Sequence, residues 1–188
     1  PDSLNNLKKI IETICQDFSV STSGMQIEIL SLIPPERGMG SSAAVATALI
    51  RALHHYFEQS LSTDLLLHYI EISEKIAHGN PSGLDARITS GTKPVFFVKT
   101  KEPETFDLQV SGYLIAADTG LKGQTREAVQ DVALLLKKSK RKTKQLLSSL
   151  GSLTNQAKQA IERDDISALG TILSKAHQHL SDLNVSNA

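Results

Sequence analysis

A short glycine-containing loop between two apolar segments limits the fold of this chain more than any other sequence feature. The loop runs from Pro34 to Ala44 and reads PPERGMGSSAA. Before it, residues 25–33 alternate between apolar and polar side chains with a period near two, which predicts a β-strand. After it, residues 41–59 carry apolar side chains at helical spacing. A strand that enters a helix through such a loop indicates a fold that combines α and β structure.

The loop has two interpretations. Gly38 and Gly40 lack Cβ atoms, so backbone N–H groups can approach a ligand closely there. The loop leads into a helix N-terminus, where oriented N–H groups and the helix dipole favour an anion. The hydroxyl groups of Ser41 and Ser42 suit phosphate oxygens or Mg²⁺. The alternative is a tight strand-to-helix turn in which the serines only cap the helix.

Two widespread glycine motifs fit this loop poorly. A P-loop ends in Gly-Lys-Ser/Thr, but Gly40 is followed directly by Ser41. Gly38, Gly40 and Ala43 formally match the dinucleotide-binding pattern Gly-x-Gly-x-x-Gly/Ala. That fold also needs a second strand and an acidic residue about 20 positions later. Glu58 stands at that distance, but it ends the long predicted helix, and the next segment is helical too.

A second polar group lies between residues 74 and 85, which read EKIAHGNPSGLD. Glu74 and His78 are four residues apart and share one face of a helix predicted over residues 62–78. The turn after this helix brings Asp85 back beside the helix end. One carboxylate can ligate Mg²⁺, and the other can orient or deprotonate a substrate hydroxyl. The alternative is a surface turn with Asp85 as a helix N-cap and Glu74 in solvent.

The remaining periodicity predicts further helices and strands in mixed order. A polar, proline-containing stretch at 102–106 is the candidate domain boundary. Periodicity alone therefore indicates mixed α and β content in two parts. The further predicted elements are helices at 3–18, 125–137, 143–163 and 165–182 and strands at 94–99 and 113–117.

Composition argues against several classes of protein. The 20 Lys and Arg residues balance the 20 Asp and Glu residues, and only 4% of the residues are aromatic, so nucleic acid is not an expected partner. No apolar run approaches the ~20 residues that span a bilayer, so no membrane partner is expected. Cys15 is the only cysteine of 188 residues, which excludes an internal disulfide and fits a reducing, cytoplasmic compartment.

One basic run stands apart from this neutral composition. Six cations lie between Lys137 and Lys144. They can attract nucleic acid or polyphosphate, which leaves a non-catalytic binding module open as an alternative function. The neutral net charge and the absence of interleaved aromatic residues favour a solvated junction between two helices instead.

Taken together, the two motifs resemble those of the superfamily of galactokinase, homoserine kinase, mevalonate kinase and phosphomevalonate kinase, the GHMP kinases. Residues 34–44 are similar to the central phosphate-loop motif of that superfamily. Glu74 with residues 78–85 resembles mevalonate kinases in particular, and so do residues 113–120 with 122–128. The resemblance covers essentially the whole chain and is nearest to bacterial-type members.

The resemblance also implies a longer protein. Of the three signature motifs of the superfamily, only the middle one is present here. The N-terminal motif would precede Pro1, and the C-terminal glycine-rich motif would follow Ala188. The chain is therefore expected to be an internal part of a longer kinase, with little activity by itself.

The fold and the reaction implied by the resemblance are specific. The fold class is α+β, with a ribosomal-protein-S5-like, nucleotide-binding half at 1–106 and a ferredoxin-like, helix-rich half at 107–188. The implied reaction uses ATP and Mg²⁺ to phosphorylate the 5-hydroxyl of mevalonate. A sister kinase acting on phosphomevalonate, homoserine or a sugar is the alternative. The partner is a small molecule, and the oligomeric state stays open, with a homodimer as one alternative.

The resemblance assigns roles to individual residues. Asp85 matches the catalytic aspartate beside the attacking hydroxyl, and Ser42 and Glu74 match the magnesium ligands. Thr125 and Ser82 are assigned to the substrate. Met39 stands where the family usually has leucine, a nearly volume-conserving difference. The nucleotide is assigned to Pro34, Glu36, Arg37, Gly38, Met39, Gly40, Ser41, Ser42 and Ala43.

Overall fold

The computed structural model describes residues 4–108, 110–118, 120 and 125–186, without the side chains of Thr125 and Arg126. These residues divide into two compact units. Unit 1 ends at Thr105, and unit 2 begins at Phe106.

Unit 1 combines helices with a very small sheet. Its helices are α1 (Asn5–Asp17), α2 (Ser41–Tyr56), α3 (Thr63–His78) and α4 (Leu84–Ser90). Its strands are β1 (Val95–Phe96) and β2 (Glu104–Thr105). The strands pair antiparallel, with Val95 opposite Thr105 and Phe96 opposite Glu104.

The core of unit 1 lies where α1, α2 and α3 meet. Ile10, Ile50 and Ile70, one from each helix, have no exposed surface. Tyr69 is also buried, and its hydroxyl donates a hydrogen bond of 2.6 Å to Asp17 Oδ2 at the end of α1. Cys15 is a buried free thiol in the same region. Burial of this apolar surface is the main force that holds the three helices together.

Local signals explain where the helices of unit 1 begin and end. The Ser62 hydroxyl accepts a hydrogen bond from the Leu65 N–H at the start of α3. This contact satisfies one of the amide groups that a helix N-terminus leaves unpaired. Gly79, with φ +77°, ends the same helix in a conformation that favours glycine.

Unit 2 contains three helices in its described part. They are α5 (Thr125–Lys138), α6 (Lys140–Glu162) and α7 (Ile166–Asp182). The Asp165 side chain caps α7 by accepting a 2.9 Å hydrogen bond from the Ala168 N–H. Helices α6 and α7 pack through a small core of Leu153, Ala160 and Ile172.

The structure confirms the predicted helices. Six of the seven described helices lie within about three residues of the predicted bounds, which is the ordinary precision of helix ends. Helix α4 is an addition, because its seven residues carry no extended helical period. In the described residues no helix is long and apolar enough to cross a membrane. The described fold is mostly helical with one small sheet, which is compatible with an α+β class.

Two strand predictions were wrong. Residues 25–33 and 113–117 are not strands, and the predicted strand at 94–99 is reduced to Val95–Phe96. Alternating apolar residues favour extended backbone, but a strand also needs a partner for its N–H and C=O groups. Within the described residues, neither segment pairs with another. Many of their apolar side chains are also exposed, among them Leu30, Leu32, Tyr113, Leu114 and Ile115.

Candidate functional site

The glycine loop ends at the first turn of α2. Gly40 is the N-cap residue, with φ +65°, and its carbonyl accepts the first helical hydrogen bond from the Ala44 N–H at 2.9 Å. No side chain caps this helix end. The interpretation in which the serines are the N-caps is therefore wrong, because Ser41 and Ser42 are the first two helical residues. The N–H groups of this turn precede the helical hydrogen-bond ladder and suit an anion.

Asp85 lies next to Gly40. A Cβ atom placed on Gly40 would lie 3.6 Å from Asp85 Oδ1, so the carboxylate occupies the space beside the N-cap of α2. Asp85 is in the first turn of α4, and Gly83, with φ +88°, is the N-cap. The alternative with Asp85 as an N-cap is therefore wrong. The Ser82 hydroxyl accepts a 3.2 Å hydrogen bond from the Leu84 N–H and so stabilises the turn before α4.

Ser42 and Glu74 form a direct contact between α2 and α3. The Ser42 hydroxyl donates a hydrogen bond of 3.0 Å to Glu74 Oε1. Only 5% of the Glu74 side chain is exposed, and its Oε2 lies 3.6 Å from His78 Nε2. The alternative that leaves Glu74 in solvent is therefore wrong. A carboxylate is rarely buried without a partner, and the Ser42 hydroxyl and the His78 imidazole are the neighbours of Glu74 here.

The side-chain oxygen atoms of Ser42 and Glu74 are suitable ligands for a magnesium ion. A hydroxyl and a carboxylate offer the hard oxygen ligands that Mg²⁺ prefers. Mg²⁺ is usually held by one or two carboxylates together with phosphate oxygens and water, rather than by a complete protein cage. The described residues contain no group of three or more His, Cys, Asp or Glu that could hold a metal ion.

For the other predicted site residues, the structure gives backbone conformation and exposure. Glu36, with φ +59°, and Gly38, with φ +67°, give the loop its left-handed turns. Arg37 is half-buried, whereas Pro34 and Met39 are exposed. The Thr125 side chain lies outside the described residues.

Two threonines near the site were missed by the sequence interpretation. Thr47 Oγ1 on α2 lies 3.1 Å from Thr89 Oγ1 on α4. Thr89 in turn donates a 2.8 Å hydrogen bond to the carbonyl of Asp85. Threonine carries no motif here, so only the packing of α4 against α2 reveals this link.

Comparison with known proteins shows which family one part of the chain matches. Residues 5–91 match the family described as GHMP kinases N terminal domain, a range that includes the glycine loop, Glu74 and Asp85. The part of the chain that carries the glycine loop is thus similar to the N-terminal domain of GHMP kinases.

Two relatives with sequences similar to this chain are mevalonate kinases. The chain is 31% identical to a mevalonate kinase of Aeropyrum pernix over 86% of its own length and 50% of the relative's. It is 29% identical to the mevalonate kinase of Pyrococcus abyssi over 97% of its length and 55% of the relative's. The chain thus spans about half the length of these curated relatives.

Two crystal structures have the same fold. The mevalonate kinase from methicillin-resistant Staphylococcus aureus matches this chain over its full length and over 59% of the kinase's own length, with a TM-score of 0.67 and 29% identity. The L. major mevalonate kinase in complex with R-mevalonate matches this chain over its full length and over 60% of the kinase's own length, with a TM-score of 0.76 and 20% identity. The fold of this chain is therefore that of a GHMP kinase.

Proposed function

We propose that the protein to which this chain belongs transfers the γ-phosphoryl group of ATP to the 5-hydroxyl of mevalonate. The observation that carries the proposal is the position of Asp85 beside the N-cap of α2, in the same unit as the Ser42–Glu74 pair. Phosphoryl transfer depends mainly on positioning and charge neutralisation, and this arrangement offers groups for both. The relatives named mevalonate kinase support the choice of substrate.

The loop and the first turn of α2 hold the phosphates in this proposal. The N–H groups that follow Gly40 point out of the helix end, where the helix dipole favours negative charge. The loop from Pro34 to Gly40 leads into that end of the helix, and these residues together with Ser41, Ser42 and Ala43 contact the nucleotide in this proposal. Ser42 and Glu74 hold Mg²⁺, which supplies neutralisation of the phosphate charge when it is bound.

Asp85 acts on the acceptor. Its carboxylate lies beside the helix end that holds the phosphates, so a substrate hydroxyl between the two would have an oriented hydrogen-bond acceptor. Asp85 then orients or deprotonates the hydroxyl for in-line attack on the γ-phosphorus. Ser82 and Thr125 contact the substrate in the same proposal.

We also propose that the two halves of the chain have different folds. The nucleotide-binding half covers 1–106 and has a ribosomal-protein-S5-like fold, and the half at 107–188 is ferredoxin-like. The protein is cytoplasmic, and a homodimer is the state to be tested by light scattering.

The direct test is ADP release by the full-length protein with ATP, Mg²⁺ and one acceptor at a time. Mevalonate is expected to give turnover, whereas phosphomevalonate, homoserine and galactose give none. Turnover with another acceptor would move the function to a sister kinase. A salt-sensitive affinity for nucleic acid without turnover would favour the binding module based on the basic run.

The substitution Asp85→Asn tests the catalytic role. It removes the negative charge but keeps the shape, so turnover is expected to be lost while ATP binding is retained. Asp64→Asn is the matched control, because Asp64 also lies in the first turn of a helix of unit 1. Normal turnover of Asp85→Asn would remove the assignment.

The substitution Glu74→Gln tests the magnesium site. We expect the enzyme to need a higher Mg²⁺ concentration for half-maximal rate, since the buried carboxylate charge is lost. Glu71→Gln is the control, because Glu71 lies on the same helix but is about half exposed and pairs with Lys75 at 2.7 Å. An unchanged magnesium titration for Glu74→Gln would contradict the proposal.

A further inference from the structure

We propose that Thr47 and Thr89 are positioning residues that hold Asp85 beside the N-terminus of α2 through a directed chain of hydrogen bonds. The inference rests on the proposed function, because it concerns the placement of the proposed catalytic carboxylate. Neither threonine belongs to the phosphate loop or to the turn at residues 78–85.

The direction of the chain follows from the number of protons. A threonine hydroxyl has one proton to donate and can accept further hydrogen bonds. The Thr89 proton is directed to the Asp85 carbonyl at 2.8 Å. Either hydroxyl can donate in the 3.1 Å contact between Thr47 Oγ1 and Thr89 Oγ1. With the Thr89 proton directed to the backbone carbonyls of Asp85 and, at 3.4 Å, Ala86, the donor in that contact is Thr47. Successive hydrogen bonds of this kind polarise and strengthen each other, and Thr47 is only 3% exposed, so water competes little.

Helix α4 depends on such contacts. It has seven residues, and no side chain caps its N-terminus. An isolated helix of this length is unstable in water, so its position is set by what it packs against. The contacts that fix it to α2 are the Thr47–Thr89 bond, the burial of Ala86, and a 2.9 Å hydrogen bond from Arg51 Nη2 to the Ser90 carbonyl.

The geometry connects this bond to the candidate site. Thr47 lies on the same helix as Ser41 and Ser42, and Thr89 lies one helical turn after Asp85. The threonine chain therefore joins the helix that presents the phosphate-binding end to the backbone of the residue that acts on the acceptor. A shift of α4 would move the Asp85 carboxylate away from its place beside Gly40.

The experiment compares two substitutions at position 47 in the full-length protein. Thr47→Val keeps the shape and removes the donor, whereas Thr47→Ser keeps the donor and removes a methyl group. Because misplacement by about 1 Å can cost ~100-fold in rate, Thr47→Val is expected to lower kcat by about 10- to 100-fold. Its KM for ATP stays unchanged, and Thr47→Ser retains the parent kcat.

Thr89→Val supplies an independent variant if Thr47→Val does not fold. It is expected to lower kcat at least as much, and the double variant is expected to be no worse than Thr89→Val alone, because both substitutions break one chain. Thr143→Val is the matched control. Thr143 is also a buried helical threonine with hydroxyl hydrogen bonds, but it belongs to unit 2, and kcat should not change.

Hydrogen exchange gives a readout that does not need turnover. Thr47→Val is expected to speed exchange of the amides of α4, with the amides of α3 as the internal reference. If the protein phosphorylates no acceptor, the proposed function fails. The hydrogen exchange of α4 amides still decides whether the Thr47–Thr89 hydrogen bonds hold Asp85 in position. Unchanged kcat and unchanged α4 exchange in Thr47→Val would overturn the inference. Loss of activity in Thr47→Ser but not in Thr47→Val would also overturn it, by assigning the effect to packing.

Discussion

Unit 1 and unit 2 are both mainly helical, but they bury their side chains to different extents. In unit 1, three helices meet, and isoleucines from each of them are completely inaccessible. In unit 2, the core shared by α6 and α7 is smaller, and Leu153, Ala160 and Ile172 each expose 6 to 9% of their surface. Only Leu183, at the end of α7, is nearly as enclosed as those isoleucines among the described apolar residues of this unit. The core of unit 1 has more members, and more of them are fully enclosed, so unit 1 gains more from the hydrophobic effect. The candidate site thus lies on the more firmly packed unit.

The largest expected difference concerns the two cores. Ile50→Ala in unit 1 should lower the free energy of unfolding by about 4 kcal/mol, because the site is fully enclosed and a cavity remains. Ile172→Ala in unit 2 should cost about 2 kcal/mol, because its surroundings are open enough to relax. Urea unfolding, resolved by hydrogen exchange of peptides from each unit, measures both values. Equal losses would show that the difference in burial carries no difference in stability.

A smaller effect separates the units at alkaline pH. Burial and the hydrogen bond to Asp17 raise the pKa of Tyr69 above its ordinary value. The unfolded chain therefore releases the Tyr69 proton first, and unit 1 loses stability as the pH rises above about 10. Tyr69→Phe should cost about 1 kcal/mol at neutral pH, because Asp17 is exposed and water replaces the lost partner.

Thermal unfolding of the parent protein and of Tyr69→Phe, at pH 8 and at pH 11, measures the loss of stability at alkaline pH. The alkaline loss should be smaller in Tyr69→Phe. Tyr56→Phe is the control, since Tyr56 is largely exposed. The same alkaline loss in the parent and in Tyr69→Phe would contradict the assignment.

The smallest effect lies in unit 2 and appears at acidic pH. The Ser111 hydroxyl and N–H donate to Asp164 at 2.5 and 2.6 Å, and these bonds lower the pKa of the Asp164 carboxyl. The stabilisation is complete above the ordinary carboxyl pKa of about 3.9 and is lost as the pH falls through the lowered value. Ser111→Ala should weaken this acid dependence without abolishing it, because the N–H remains. Exchange rates of peptides around residues 111 and 164 between pH 2.5 and pH 5 test the expectation.

The sequence predicts the helices well because their signals are local. Ser62 marks the start of α3, and the apolar periods locate α6 and α7 to within about three residues. Residues 25–33 show the limit of such reasoning. Their alternation describes a preference for extended backbone, but pairing depends on a second segment that the pattern does not identify.

The candidate site was predictable to a similar degree. The motifs select Ser42, Glu74 and Asp85, yet spacing gives neither the burial of Glu74 nor its contact with Ser42. The role of Gly40 as the N-cap depends on a left-handed backbone that a serine-rich helix start does not suggest. The Thr47–Thr89 contact joins residues 42 positions apart, so only the tertiary structure reveals it.

The buried thiol of Cys15 can report on the opening of unit 1. Burial shields the Cys15 sulfur and raises the pKa of its thiol, so a thiol reagent reacts only when the helix packing opens. The rate of labelling then measures how often α1 separates from its neighbours, without an introduced probe. Because Cys15 is the only cysteine among these 188 residues, slower modification of its sulfur atom in this chain would detect a nucleotide that binds and tightens unit 1.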